Sequence, residues 1–342
     1  MTILFFHFDG TTNEPADAYA LSFKDESISN VLKSHLLLGG GLDCEDGRLQ
    51  RPSPHRSFYY SGVGTYGSPL ERWLNATFAF ENADVAQILR RALFDFQCHF
   101  HSNIERIVLI GFSRGAALAR RFAALINPYL KHPMVIEAVM DTVASIGWPN
   151  LDRQQRPTND VVFEEGGYLP CCVKEALHLL ALDEQRLAFR PTLMNDDQRV
   201  VEVWLPGVHS DVGGGFRKDG LADLSFSVMS QWLHRALNIK QSSLYFNVEE
   251  LPLFNQPNLS YSLWSKLLEL KPTIDGAIHT QQRPFAFADV TLAPRCCHVW
   301  RNNQPCLKSA PLWHRSVFQR MQLQPTYRPT AQVVHPALGW IY

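Results

Sequence analysis

No stretch of this 342-residue chain approaches the roughly 20 consecutive apolar residues that span a bilayer, so no membrane-spanning helix is expected. The amino terminus, Met1-Thr2-Ile3-Leu4-Phe5-Phe6-His7-Phe8-Asp9, has no basic leader and no small-residue cleavage site. It reads as a core strand and not as a Sec signal, which implies synthesis in a cytoplasm. Charge of one sign is lacking too. A formal net charge of −1 supplies neither a basic field for nucleic acid nor a polybasic patch for a membrane, so any membrane contact must be local and apolar. The seven cysteines include the adjacent pairs Cys171-Cys172 and Cys296-Cys297 and no Cys-x-x-Cys repeat. That usage argues against a disulfide framework and for a reducing compartment. It also leaves Cys296-Cys297-His298 with Cys306 a poor zinc set. No internal repeat or low-complexity tract is evident. What the chain does have is bulk, with 46 % hydrophobic residues, enough for one large core.

The most informative run is Ile107-Val108-Leu109-Ile110-Gly111-Phe112-Ser113-Arg114-Gly115-Ala116-Ala117. An apolar strand breaks at a glycine, presents one serine between two glycines, and passes at once into helix-favouring alanines. Such a Gly-x-Ser-x-Gly run is a nucleophile elbow, which holds a serine hydroxyl up on a tight strand-to-helix turn. Side chains at Gly111 and Gly115 would crowd a turn in which backbones approach closely. The same turn aims the N–H of Arg114 at the place where an oxyanion forms.

A serine nucleophile needs a base, and the base needs an orienting acid. Met134 to Met140 reads as a strand closed by Asp141, and Val200 to Leu205 as a strand running into Pro206-Gly207-Val208-His209-Ser210-Asp211. Ser113, Asp141 and His209 thus each follow a strand, at one carboxyl edge of a parallel sheet, where open α/β sheets build their sites. Their order is that of the α/β-hydrolase triad. Asp211 is the alternative acid. Lying two residues beyond His209, it is better placed to fold back on the glycine turn or to hold calcium, whereas Asp141 can approach the imidazole Nδ1 from a separate loop. The second oxyanion donor is expected from Gly10 or Thr11 after the first strand, with Asp9 bracing that turn. This acyl chemistry requires no cofactor, and calcium at Asp211 is the one cation suggested.

The segments Phe8-Asp9-Gly10-Thr11, Tyr60-Ser61-Gly62-Val63-Gly64-Thr65, Gly111 to Ala116, Asp141-Thr142-Val143-Ala144-Ser145 and Trp204 to Gly214 together carry a resemblance. They look like the α/β-hydrolase domain family of the bacterial type VI secretion lipase effectors, first class. The ordered match runs from about residue 3 to residue 216, and a weaker echo follows at Trp313-His314-Arg315-Ser316-Val317. The resemblance implies a phospholipase acting on membrane glycerophospholipids, with Ser113 as nucleophile and His209 as base. It further implies transient contact with a membrane surface, synthesis in a bacterial cytoplasm, delivery by a secretion-apparatus carrier into a target-cell periplasm, and an opposing immunity protein. The ester position, headgroup and acyl length stay open. So does the side chain of Arg114, which can meet a lipid phosphate or pair with a carboxylate.

Two other functional classes compete: a small-ester or other acyl hydrolase of housekeeping role, and a hydrolase-fold binding protein without activity. Gly62-Val63-Gly64-Thr65-Tyr66-Gly67 imitates a dinucleotide fingerprint, but Ser68-Pro69 follows it in place of a helix. His7-Phe8-Asp9-Gly10-Thr11 imitates a phosphatase motif, yet His7 stands where that motif needs a nucleophilic aspartate.

The expected fold is α/β-hydrolase-like, a mostly parallel central sheet with helices on both faces. Residues 1–250 are read as the core, with a lid-like insertion at about 142–199, and residues 251–342 as a carboxyl-terminal extension packed on it. Helical spacing over Glu81 to Asn103 places Val85, Ile88, Leu89, Ala92 and Phe96 on one stripe. Further helices are predicted around Cys172 to Leu182, from Leu224 to Leu237, and at Leu263 to Leu268, the last covering the core or dipping into a lipid surface.

Overall fold

The computed structural model describes residues 1–10, 28–42, 46–49, 53–62, 81–144, 168–216, 220–239, 244–245, 267–279, 292–306, 308–333 and 339–341. Along the chain come β1 (Thr2–Phe8), α1 (Asn30–Leu37), β2 (Arg56–Tyr60), α2 (Glu81–His99), β3 (Ile104–Phe112), α3 (Arg114–Ile126), β4 (Val135–Met140), β5 (Val173–Ala181), β6 (Val200–Leu205), α4 (His209–Gly213) and α5 (Gly220–Leu237). The carboxyl-terminal part holds β7 (Cys296–Cys297), β8 (Val299–Arg301), β9 (Gln304–Cys306), β10 (Leu312–His314), α6 (Ser316–Leu323), β11 (Gln332–Val333) and β12 (Gly339–Ile341).

A parallel sheet is covered on both faces, so its strands are apolar at successive positions and show no alternation. β1 and β3 have that character: Ile3, Leu4, Phe5 and Phe6 are fully buried, as are Ile107 to Ile110. Eight strands form one sheet in the order β12-β10-β6-β5-β4-β3-β1-β2, and all seven of its pairings are parallel. Ile3, Phe5, Val108, Ile110, Ile136 and Ala138 face one way, packing with Val31 and Leu36 of α1 and Phe226 and Met229 of α5. Leu4, Phe6, Ile107, Leu109 and Val135 face the other, against Val85, Ile88, Ala92 and Phe96 of α2 and Ala119 and Phe122 of α3. Each such aromatic or branched aliphatic side chain contributes about 1.5–3 kcal/mol by leaving water.

One predicted helix is a strand. Residues 173–181 form β5, in the middle of the sheet. The sequence Lys174-Glu175-Ala176-Leu177 favours helix locally, but Leu177 and Leu179 pack on one face of the sheet while Val173 and Ala176 pack on the other. Two-sided burial overrides propensity here. Of the span expected to act as a lid, about 142–199, residues 145–167 lie outside the described residues, as do Leu263 to Lys266 of the helix predicted at Leu263 to Leu268.

Residues after 292 contribute to the same sheet. β10 pairs with β6, Trp313 beside Trp204, and β12 pairs with β10. Trp204 and Trp313 join Leu180, Leu182, Cys297, Val317 and Ala331 in a third apolar cluster. Among the described residues, no helix is long and apolar enough to cross a membrane.

From β1 the chain passes to β2 on one side and then to β3 on the other. The direction of winding therefore reverses between β1 and β3, and it is at the carboxyl ends of strands flanking such a reversal that open α/β sheets receive ligands.

Candidate active site

Ser113 stands at that sheet edge, between β3 and α3. Its φ of 57° and ψ of −125° are a strained conformation for a side chain with a Cβ. A serine that merely caps a helix has extended backbone and accepts a bond from the first turn. Ser113 does neither, so its hydroxyl is not used to cap the helix. The flanking glycines are forced by backbone contacts. A Cβ on Gly111 would stand 2.6 Å from Ala116 Cα, and one on Gly115 2.2 Å from the carbonyl oxygen of Phe8 and 2.3 Å from that of Asp9. Helix α3 therefore sits directly on the end of β1.

Asp141 follows β4 and is also left-handed, with φ of 42°. Its loop is tied to the elbow in both directions: Ser113 N–H donates to Met140 at 3.0 Å, and Val143 N–H donates to the Ser113 carbonyl at 3.1 Å. The Asp141 carboxylate is wholly buried and accepts four bonds. Oδ2 receives His209 Nδ1 at 2.5 Å and Arg295 Nη2 at 2.8 Å; Oδ1 receives Arg295 Nη1 at 2.7 Å and Ala181 N–H at 3.1 Å. Burial by itself would raise the carboxyl pKa, but Arg295 and His209 hold it well below the usual carboxylate range.

His209 begins α4, after the turn that leaves β6. Gly207 makes that turn possible with φ of 111°, a value few side chains tolerate. The imidazole lies against two rings, Phe112 at 4.6 Å and Phe189 at 4.8 Å between centroids. Phe112 directly precedes Ser113, so this contact links the base to the elbow. With Nδ1–H donating to Asp141, Nε2 is left as the basic nitrogen. Burial lowers the His209 pKa below its ordinary value, against the opposing pull of Asp141.

The alternative acid has other duties. Asp211 Oδ2 accepts Val208 N–H at 2.9 Å and His279 N–H at 3.2 Å, while Oδ1 accepts His279 Nδ1 at 2.6 Å. It closes the start of α4 and is not bonded to His209. Among the described residues, no group of three His, Cys, Asp or Glu side chains could hold a metal ion. Asp9 accepts Gly10 N–H, Ser29 Oγ and Tyr59 Oη, each at 2.6 Å, and so braces the β1 turn. The Gly10 N–H, expected to face an oxyanion, donates here to the Asp9 carboxylate. Thr11 lies outside the described residues. Arg114 opens α3; burial brings its guanidinium pKa down to about 10, which leaves it cationic at neutral pH.

Three supporting groups escape sequence reading. Arg295 belongs to no motif. Glu184 follows β5, and its Oε2 accepts His209 N–H at 3.3 Å and Arg186 Nη2 at 2.7 Å. The Arg186 guanidinium in turn lies 3.7 Å from the ring centre of Phe189. His178 accepts Thr142 N–H on Nε2 at 3.1 Å and donates from Nδ1 to Glu202 at 2.7 Å, holding the Asp141 loop from beneath. Reading residues 173–181 as a strand would have placed Asp183 and Glu184 at the same sheet edge as the other candidates.

The parallel sheet order and the elements meeting at this edge are those of an α/β-hydrolase-like fold. The family model described as type VI secretion system, phospholipase effector Tle1-like, catalytic domain, matches residues 3–129 and 131–232. The chain belongs to that family. No curated protein sequence matches it. Among solved structures it is similar to an uncharacterized protein from Pseudomonas aeruginosa, at 17 % identity and TM-score 0.47, covering 78 % of this chain and 48 % of that one. It is also similar to a Tle1 effector bound to the VgrG spike of the type 6 secretion system, at 23 % identity and TM-score 0.37, covering 63 % and 51 %. A third is carboxyl esterase 2 from the mycorrhizal fungus Tuber melanosporum, at 10 % identity and TM-score 0.30, covering 71 % and 78 %. The match thus spans about half the length of the first two structures.

Proposed function

We propose that the protein is a serine esterase that cleaves carboxylic esters of membrane glycerophospholipids, a phospholipase of A type. The observation that carries this reading is a strained, non-capping Ser113 on the same sheet edge as the buried Asp141–His209 pair. His209 Nε2 takes the hydroxyl proton as Ser113 Oγ attacks the ester carbonyl, and Asp141 holds the tautomer and stabilises the imidazolium. The Arg114 N–H, at the start of α3, receives the oxyanion. The proton passes from His209 to the leaving lysolipid oxygen; water, deprotonated by the same imidazole, then releases the fatty acid from Ser113. This chemistry requires no cofactor. Calcium at Asp211 would have to displace His279.

The proposed setting follows the family. A Tle1 effector has been solved bound to the VgrG spike, and a secretion spike is the carrier proposed for this chain, with the target-cell periplasm as destination and an immunity protein as opponent. The deciding experiment supplies vesicles of a phospholipid labelled differently in its two acyl chains and identifies products by mass spectrometry. Free fatty acid and lysophospholipid are expected, and the label shows which ester is cut. Release of the phosphorylated headgroup, or no product, would overturn the reading.

A further inference from the structure

Arg295 lies 63 residues beyond the end of the family match, yet its side chain is buried beside Asp141, 3 % exposed. Both Nη atoms reach Asp141, one to each oxygen, at 2.7 and 2.8 Å. They also donate to the carbonyls of Ala181, at 2.8 Å, and Phe189, at 2.5 Å. The backbone around it is held as firmly. Gln332 N–H donates to the Arg295 carbonyl at 2.7 Å, and neighbouring Cys297 is buried beside Trp313 and Ala331.

Resting on the serine-esterase reading, we infer that Arg295 is a positioning residue that clamps the Asp141 carboxylate against His209 and shares its charge. A planar guanidinium bonded to both oxygens fixes the carboxylate plane, which a single donor does not. Asp141 is thereby prevented from rotating its Oδ2 away from Nδ1. The shared charge has a second effect: the cation opposes protonation of His209, so the base stays neutral to lower pH than an Asp–His pair would by itself. The carboxyl-terminal segment, outside the family match, thus completes the site.

Among the described residues, the charged groups facing His209 are Asp141 from the end of β4, Glu184 with its partner Arg186 from the end of β5, and Arg295 from the segment before β7. Asp211, paired with His279, and Asp183, which accepts Gly207 N–H, lie on the adjoining turn.

The test is the pH profile of kcat/KM together with an NMR titration of His209 labelled with carbon-13 at Cε1, on the whole protein and on Arg295→Gln and Arg295→Lys. If Arg295 acts as inferred, Arg295→Gln raises the His209 pKa and the acid limb by about one pH unit and lowers kcat more than it raises KM. Arg295→Lys keeps both pKa readings near the original and restores part of kcat, since an ammonium keeps the charge without the bidentate geometry. A merely structural role gives the opposite sign: a displaced Asp141 leaves the buried imidazole without its partner, and its pKa falls. That fall, or no change in Arg295→Gln, overturns the inference. Should Arg295→Gln not fold, a downward shift in Arg295→Lys overturns it equally. The NMR arm is independent of turnover, so an inactive parent protein sinks the esterase reading while the titration still decides the role of Arg295.

Discussion

His209 Nδ1 lies 2.5 Å from Asp141 Oδ2, a buried contact between residues 68 positions apart. The competing acid, Asp211, is bonded to Val208 and His279. Asp141→Asn keeps the shape but offers the imidazole the wrong partner, and kcat is expected to fall by about 10²–10⁴-fold. Asp211→Asn should keep kcat within about threefold and lower the melting temperature, as loss of a helix-start bond does. Both variants should respond identically to a chelator. A normal kcat for Asp141→Asn beside a collapsed one for folded Asp211→Asn would transfer the orienting role.

Ser113→Ala removes the attacking oxygen. Turnover is expected to drop by several orders of magnitude with the melting temperature unchanged or raised, since the serine hydroxyl does not cap α3. Wild-type turnover by the purified, folded variant would end the serine mechanism.

Gly115→Ala tests the packing of the elbow. Its methyl group would meet two backbone carbonyl oxygens at 2.2 and 2.3 Å, and backbone does not step aside as a side chain does. A loss of about 2–4 kcal/mol in unfolding free energy is expected, with esterase activity lost as α3 lifts from β1. Denaturant titration beside a p-nitrophenyl ester assay measures both.

Acid should act on rate and stability through histidines. His209 has a lowered pKa, so the acid limb of kcat/KM is expected to have its midpoint below pH 6.5, with the protonated form inactive. His35 is fully buried, and burial lowers its pKa to about 4; His7, beside it, moves the same way for the same reason. Between pH 6.5 and 4 the unfolded chain binds these protons and the folded chain does not, so stability falls as pH falls. His35 alone accounts for roughly 3 kcal/mol across that interval. Urea midpoints between pH 7 and 5 should decline, and His35→Gln should flatten the decline while costing stability at pH 7. A midpoint independent of pH would contradict this.

The proposed delivery to a target-cell periplasm predicts toxicity by location. Bacteria directing the protein to their periplasm with an added export signal should stop growing, and the Ser113→Ala form should be harmless at equal abundance. Equal growth of the two strains would remove that proposal.

Much of the candidate site is legible in the sequence because its causes are local. The elbow is a five-residue steric problem, and Gly111, Ser113 and Gly115 announce it wherever the rest of the chain goes. Asp141 and His209 are identifiable as candidates because each follows an apolar strand, and parallel strands deliver their ends to one edge. The stripe from Val85 to Phe96 was equally legible, since helical spacing records one buried face. β5 was misread for the complementary reason: burial on two faces leaves no periodicity, and Lys174-Glu175-Ala176-Leu177 favours helix when taken by itself.

By itself, then, the order of residues determined the strand ends, the elbow and the three side chains that could act together, because sterics and periodicity operate within a few positions. Only the tertiary structure decided which acid faces His209, where the Gly10 N–H is directed, and that Arg295, 154 positions from Asp141, closes on the carboxylate. Those outcomes depend on which buried polar groups meet across the sheet edge. A buried charge must find its partner wherever the fold brings one, and no short stretch of sequence carries that information.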